Sequence, residues 1–271
     1  MSLAPFFGRG SLTGAAPEAD ALATGTAGAL ARAYERGQLM PMPSVYGTQI
    51  GYTPAALYLA DDVALGMRDS IGNALLAAVG TPVYRQWVKN VRGVAIDAGS
   101  EGFAANLYAP ALASQVVIGA FSIPSDPAAD RGLWGYRSDD LAQAYSYFDT
   151  SLNKVGVYVT SVAEAQFVRV TVDHELVFGD LYVLGYHINR TTNLVYVRLV
   201  NVTTGIAYTA TSGSIATMTT ITGATNPLFN VGYFPGAIDG TDVKVLGLAV
   251  HTAGIAGTDV LANMTTRLVG V

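Results

Sequence analysis

From about residue 52 onward, the sequence is dominated by short runs of β-branched and aromatic residues that Gly, Asn, Asp and Pro interrupt. Branched and aromatic side chains fit a pleated surface, whereas the interrupting residues favour turns. Ten such runs at close spacing predict an all-β fold, an antiparallel β-sandwich. They are VVIGAFSI (116–123), RGLWGYR (131–137), AYSYFDT (144–150), KVGVYVT (154–160), QFVRVTV (166–172), DLYVLGYHI (180–188), LVYVRLVN (194–201), GIAYTAT (205–211), LFNVGYF (228–234) and VKVLGLAVH (243–251).

The run at residues 194–201 shows how such a strand is expected to lie in a sandwich. Val195, Val197 and Leu199 alternate with Tyr196, Arg198 and Val200. Successive side chains of a strand point to opposite sides of the sheet. We therefore expect the first three residues to face a core and the other three to face away from it.

Residues 1–51 differ from the rest of the chain, and we predict that they form an extended and helical N-terminal arm ahead of a sandwich at residues 52–271. A helix is expected over about residues 19–36, ending at Gly37. The segment holds too few large apolar residues to form a core alone. It therefore either docks on its own domain or on a neighbouring subunit, or it is a disordered leader. Its candidate contact residues are Phe6, Phe7, Leu30 and Tyr34.

The composition excludes several kinds of chemistry. The 271-residue chain has no Cys, so disulfides, thiolate catalysis and Cys-ligated zinc are ruled out. Charged residues make up 13% of the chain, the net charge is −5 and no stripe of Lys and Arg occurs, so we expect no nucleic-acid partner. The longest weakly polar run, residues 15–33, lacks the large apolar residues of a membrane span, and the N-terminus lacks the basic region of a signal peptide. We therefore expect neither feature.

Five motifs occur in the order typical of one known sandwich. They are Asp69–Asn73, Gly93–Asp97, Phe121 with Gly132–Gly135, Asn193–Gly205 and Phe229–Gly232. In this order they resemble the concanavalin A-like lectin/glucanase family, in its laminin-G-type form. The resemblance covers about residues 52–271 and implies a jelly-roll β-sandwich that ends in a short helix. The family includes enzymes, lectins and structural modules, so the function has to be inferred from residues.

The sequence lacks the patterns of residues that catalysis or metal binding would need. Glucanases of this family carry an E-x-D-x-x-E pattern, because glycoside hydrolysis needs two carboxylates close together. The chain has no such pattern, and the acidic triplet Asp173–His174–Glu175 reads as a solvated turn. Asp239, Asp242 and Asp259 lack the spacing of a calcium loop. We therefore expect no catalytic residue, no metal site and no cofactor.

Carbohydrate binding is the alternative that the aromatic residues raise. Sugars bind to exposed aromatic faces that lie beside hydrogen-bonding groups, and the chain has 15 Tyr and 2 Trp. Tyr is equally an ordinary strand residue that packs its ring in a core, and we favour that interpretation. The candidate sugar-binding residues are Trp134, Tyr136, Asp139, Tyr145 and Tyr147, with Asp140 and Gln143 beside them.

The leading interpretation is a structural one. A chain poor in charge, rich in Ala, Gly and Thr, and with an arm ahead of a jelly roll resembles bacteriophage virion proteins of the capsid-decoration, head-fibre or tail-associated kind. Arms of this sort are exchanged between subunits, which buries area that one subunit cannot bury. The resemblance implies a location in the virion, a homo-oligomer, and other virion proteins as partners. The alternative is a lectin-like module that binds surface glycans.

Overall fold

The computed structural model describes residues 50–59, 66–68, 75–88, 91–96, 101–105, 114–137, 143–161, 165–218, 228–234, 238–239, 243–252 and 255–269. The candidate arm residues Phe6, Phe7, Leu30 and Tyr34 lie outside these ranges. The strands are β1 (Ala56–Leu59), β2 (Gly66–Arg68), β3 (Leu75–Val79), β4 (Val83–Val88), β5 (Val91–Ile96), β6 (Gly102–Ala105), β7 (Gln115–Ser122), β8 (Arg131–Arg137), β9 (Gln143–Asp149), β10 (Lys154–Thr160), β11 (Phe167–Thr171), β12 (Tyr182–Asn189), β13 (Leu194–Asn201), β14 (Ile206–Thr211), β15 (Leu228–Val231), β16 (Tyr233–Phe234), β17 (Ile238–Asp239) and β18 (Val243–His251). One helix, α1 (Val260–Val269), follows.

The strands form two large antiparallel sheets, which confirms the prediction of an all-β sandwich. Sheet 1 has the order β14-β13-β12-β7-β18-β5-β4, and β1 also pairs with β18. Sheet 2 has the order β11-β10-β9-β8-β15-β6-β3-β2, and a small hairpin joins β16 to β17. All ten sequence runs are strands of these sheets. Their bounds agree with the prediction to within about two residues, except that the run at 228–234 is divided between β15 and β16.

The main core lies between the inner faces of the two sheets. Val195, Val197 and Leu199 of β13 are buried in it, as the alternation predicts. Large aromatic side chains fill its centre: the Trp134 indole meets the ring of Phe121 edge to face with centroids 5.8 Å apart. Edge-to-face contacts of this kind add to the stabilisation that burial provides.

A second apolar cluster lies on the outer face of sheet 1, where α1 covers the sheet. Leu261 and Met264 of the helix are buried there, and the Cδ1 atom of Leu261 lies 2.5 Å from where a Cβ on Gly185 would be. Because Gly185 has no side chain, Leu261 of the helix can pack directly against this strand. The Arg267 guanidinium donates a hydrogen bond to the Ile50 carbonyl at 3.1 Å. No helix in these described ranges is long and apolar enough to cross a membrane.

Three hairpins share one turn design, in which an Asp or Asn at the end of a strand precedes a left-handed residue four positions later. The Asn201 Oδ1 atom accepts hydrogen bonds from the Thr203 and Thr204 amides at 2.8 and 3.1 Å. These hydrogen bonds satisfy turn amides that are not bonded to a neighbouring strand. They also fix the loop length and the register of the flanking strands. The three pairs are Asp149 with Asn153, Asn189 with Asn193, and Asn201 with Gly205.

Candidate functional site

The structure buries four of the five candidate sugar-binding residues, two of them in the core between the sheets. Trp134 and Tyr136 are both 0% exposed and lie in the core between the sheets, so neither ring can form a face for a ligand. The Tyr136 ring packs edge to face on Phe229 with centroids 4.8 Å apart. Asp139 and its neighbour Asp140 lie outside the described residues. The prediction of an exposed platform at Trp134 and Tyr136 is wrong.

A bulge in β8 is the reason for the inward orientation. Pairing of β8 with β9 shifts between Gly132 and Trp134, so Leu133 and Trp134 are consecutive yet both lie in the core. In a regular strand, Trp134 would point to the opposite face from Leu133. The Ser146 hydroxyl accepts a hydrogen bond from the Trp134 amide at 3.3 Å and donates one to the Trp134 carbonyl at 3.0 Å, which supports the irregular pairing.

Tyr145 and Tyr147 lie on the outer face of sheet 2, but they are only 5% and 2% exposed there. They join residues of two neighbouring strands. We call this group the outer-face patch and define it as Tyr145, Tyr147, Tyr158, Phe167 and Arg169. Tyr145 is directly opposite Tyr158 in the β9–β10 register, and Tyr158 is opposite Arg169 in the β10–β11 register. Residues opposite one another in an antiparallel pair share a face and contact each other.

The aromatic rings of the patch form a continuous chain from the interior of the sheet to its edge. The Tyr145 centroid is 5.7 Å from that of Tyr158, and the Tyr158 centroid is 5.9 Å from that of Phe167. Tyr145 is 5% exposed, Tyr158 is half-buried and Phe167 is 62% exposed. The accessible end of the chain therefore lies on β11, the edge strand of sheet 2.

The buried end of the ring chain is closed by the β16–β17 hairpin. The Phe234 ring lies 5.0 Å from that of Tyr145, centroid to centroid, and Phe234 is 0% exposed. The Arg137 guanidinium donates a hydrogen bond to the Phe234 carbonyl at 3.5 Å, which holds the hairpin against β8. The hairpin thus closes one side of the patch, and the opposite side, at strand β11, is open.

Arg169 supplies the positive charge of the patch. Its guanidinium carbon lies 5.4 Å from the Tyr147 ring centroid and 5.7 Å from that of Tyr158, within cation–π range of both. Lys154, on the same face, is instead engaged with Asp173 at 2.6 Å. No carboxylate pairs with Arg169 among the residues that the structure describes.

The hydroxyls of Tyr145 and Tyr147 stay protonated at neutral pH, because burial raises the pKa of both. Burial raises the pKa of Tyr145 to about 12, although the charges of Arg169 and Arg137 oppose this. Burial also raises the pKa of Tyr147. Neutral phenols donate and accept hydrogen bonds. The patch therefore combines one exposed phenyl ring, one half-buried phenol and one exposed guanidinium, which lie beside two buried tyrosines.

The acidic groups near the patch are held in turns. Asp173 is exposed and paired with Lys154, as expected for a solvated turn. Asp149, on the outer face of β9, accepts hydrogen bonds from the Ser151 hydroxyl at 2.6 Å and the Leu152 amide at 3.2 Å. Across the described ranges, no three His, Cys, Asp or Glu side chains come together as metal ligands.

Sequence reasoning found Tyr145 and Tyr147 and missed Tyr158, Phe167 and Arg169. A usable signal was present in the run QFVRVTV, where Phe167 and Arg169 alternate with valines. Val168 and Val170 pack against the core, so the other side of this strand has to face away from it. An outward Phe next to an outward Arg on one strand indicates a contact surface.

Comparison with known proteins yields the fold but no relative in sequence. No known protein family matches the chain, and no curated protein sequence matches it. Similar solved structures include Trypanosoma rangeli sialidase in complex with the inhibitor DANA (TM-score 0.52, 14% identity, 80% of this chain and 33% of that one). They also include the enzymatically active domain of bacteriophage CBA120 tailspike protein 2 (TM-score 0.52, 15% identity, 70% and 30%) and the botulinum neurotoxin serotype D binding domain (TM-score 0.53, 9% identity, 73% and 48%). The chain thus spans about a third of the sialidase and tailspike chains and about half of the neurotoxin domain. At such identities the likeness shows the fold alone.

Proposed function

We propose that the protein is a carbohydrate-binding β-sandwich that binds glycans at the outer-face patch without cleaving them. The observation that carries the proposal is Phe167, an aromatic ring that is 62% exposed and continues a chain of packed rings. The fold is shared with a sialidase, a tailspike domain and a toxin binding domain, so the fold does not decide among activities. The residues of the patch therefore carry the argument.

The chemistry of the patch suits a sugar ring. A pyranose has an apolar face of C–H groups and a rim of hydroxyls, so it binds where a flat aromatic surface lies beside polar groups. Phe167 and Tyr158 offer the surface, and Arg169 and Thr171 lie beside it on β11. The Tyr145 ring packs beside that of Tyr158 and is itself held by the Phe234 ring, so a ligand meets a surface that is already ordered.

A glycan array followed by calorimetry tests this proposal. Phe167→Ala should weaken binding of an array hit by about tenfold, which corresponds to about 1.4 kcal/mol. Ile206→Ala is the matched control, because Ile206 is an exposed apolar residue (51%) on a strand of the other sheet. The proposal fails if the array gives no hit, or if Phe167→Ala and Ile206→Ala bind a hit equally well.

Absence of catalysis is part of the same proposal. A retaining glycosidase needs a second carboxyl about 5.5 Å from the first. Asp149 is 6% exposed and its Oδ1 atom accepts two turn hydrogen bonds, so it is poorly placed to attack a sugar. Incubation of an array hit with the protein should leave the glycan intact by mass spectrometry. Release of a shorter glycan would contradict this part of the proposal.

A structural role in a bacteriophage particle is a second proposal, with the protein as a decoration, fibre or tail-associated subunit located in the virion. It is supported by the low charge of the chain and by a fold shared with a tailspike domain. Light scattering should then show a stable homo-oligomer, and deletion of residues 1–45 should dissociate it or abolish attachment to the particle. A monodisperse full-length monomer with no affinity for particles would contradict this role.

A further inference from the structure

We infer that the glycan bound at the outer-face patch is acidic, and that Arg169 binds a carboxylate of one of its sugars. This inference rests on the proposed function of the patch and adds the class of ligand. It is drawn from the position of one guanidinium among aromatic rings.

The ring contacts of Arg169 leave its donors available, since its guanidinium donates no hydrogen bond to any other residue that the structure describes. A guanidinium that contacts aromatic rings uses its flat faces, whereas its five N–H donors lie in its plane and point outward. Arg169 contacts the Tyr147 and Tyr158 rings at 5.4 and 5.7 Å. These rings restrict its movement, so less side-chain entropy is lost when it forms a two-pronged pair with a carboxylate.

The neighbouring cations are engaged in other contacts. The Lys154 ammonium is 2.6 Å from the Asp173 carboxylate, and the Arg137 guanidinium donates to the Phe234 carbonyl. Arg169 is exposed and pairs with no carboxylate in the described part of the chain. An exposed cation next to an exposed phenyl ring therefore matches a ligand with an apolar ring face and one negative group.

The charge of the whole protein limits the kind of acidic ligand. A net charge of −5 repels a densely charged polyanion at long range. Screening over about 8 Å at physiological salt leaves a single short-range ion pair largely intact. The ligand that fits both conditions is an oligosaccharide with an isolated uronic or nonulosonic acid, and not a heavily sulfated or phosphorylated polymer.

Esterification of the ligand and substitution of Arg169 test the inference together. The probes are oligosaccharides that carry one hexuronic acid or one sialic acid, each compared with its carboxyl methyl ester. Methyl esterification and Arg169→Gln should each weaken binding by about tenfold to a hundredfold. The two changes should not add, because each removes the same contact. Arg169→Lys should restore part of the affinity, since it returns the charge without the planar fork.

Lys154→Gln is the control, since it removes one positive charge from the same face and should leave the affinity for the acid nearly unchanged. Raising the salt concentration should weaken binding of the acid and spare the ester. The inference is overturned if esters bind as tightly as acids, or if Arg169→Gln weakens both equally. It is also overturned if a densely sulfated or phosphorylated polymer binds more tightly than the oligosaccharides. If acids and neutral sugars all fail to bind, the proposed function itself is wrong; if neutral sugars bind in a way that depends on Phe167, only the acidic specificity is wrong.

Discussion

Acidification should destabilise the sandwich through two histidines that are buried on the outer face of sheet 1. His187 and His251 are both 0% exposed, and each is directly opposite Val116 of β7, on either side of that strand. The structure buries them fully: the chain at Ile255 lies beside His187, and the chain at Thr53 lies beside His251.

Burial lowers the pKa of both residues from 6.5 to about 4. The backbone of Ile255 beside His187 and the backbone of Thr53 beside His251 offset this only in part. The folded state therefore keeps both rings neutral at a pH where the unfolded chain has already bound protons. The stability that depends on these two neutral rings is fully present above pH 6.5 and is lost as the pH falls from 6.5 towards 4.

The magnitude follows from the size of the shift. One pKa unit corresponds to 1.36 kcal/mol, so each histidine removes at most about 3 kcal/mol. At pH 5.0 the loss is about 2 kcal/mol for each residue and about 4 kcal/mol for the pair. Because domains are stable by about 5–15 kcal/mol, this loss should bring the protein close to unfolding in mild acid.

Urea denaturation at pH 7.5 and pH 5.0 measures this effect. The double variant His187→Gln/His251→Gln should lose about 4 kcal/mol less than the wild type between the two pH values, whatever its stability at pH 7.5. His174→Gln is the comparison variant, because His174 is only half-buried and stacks on Tyr208. Burial lowers the pKa of His174 as well, so this variant should reduce the acid loss in the same direction but by less than the double variant. If the double variant and the wild type lose the same free energy, the buried histidines do not govern the acid response.

Two further predictions concern stability alone. A Cβ on Gly119 would lie 2.8 Å from the Trp134 Cζ2 atom, so Gly119→Ala should lower the free energy of unfolding in urea by about 1–3 kcal/mol. A Cβ on Gly213 would have nothing within 4 Å, so Gly213→Ala is the control and should change this free energy by less than about 0.5 kcal/mol. Equal effects of the two substitutions would contradict this packing. Asn201→Ala should lower the free energy of unfolding, followed by thermal denaturation, by about 1–3 kcal/mol. The substitution removes the oxygen that accepts from two turn amides and the NH₂ group that donates to the Tyr182 hydroxyl at 3.2 Å. An unchanged melting temperature would argue against this turn design.

The strands were predictable because their signals are local. In the ten runs, turn residues mark the ends and alternation or apolar content marks the interior, so strand identity needs no knowledge of partners. Strands β1 to β4 and β6 are only three to six residues long, and β3 and β6 (LLAAV and GFAA) are rich in Ala or Gly. Strands so short and so poor in β-formers are stabilised mainly by pairing with neighbours, which a local pattern does not contain.

The faces of the aromatic strands were not predictable, because face depends on register. In β8 the bulge at Leu133 reverses the orientation of every later residue, so Trp134 and Tyr136 point inward. In β9, Tyr145 and Tyr147 alternate with residues that include Phe148, so both faces carry large rings and alternation alone does not identify the inner one. Only the pairing with β10 and β11 places the two tyrosines on the outer face.

The exposed fraction of the rings increases along the outer-face patch, and this separates the residue that stabilises the fold from the residue that is proposed to bind a glycan. Tyr145 contacts three other rings and is 5% exposed, so it contributes to folding as a core residue does. Phe167 is 62% exposed and contacts the ring chain only through Tyr158, so it contributes little to stability. Phe167→Ala should therefore weaken glycan binding while the unfolding free energy falls by less than about 1 kcal/mol. A variant that lost both together would show that Phe167 supports the fold, and the exposed ring would no longer indicate a binding surface.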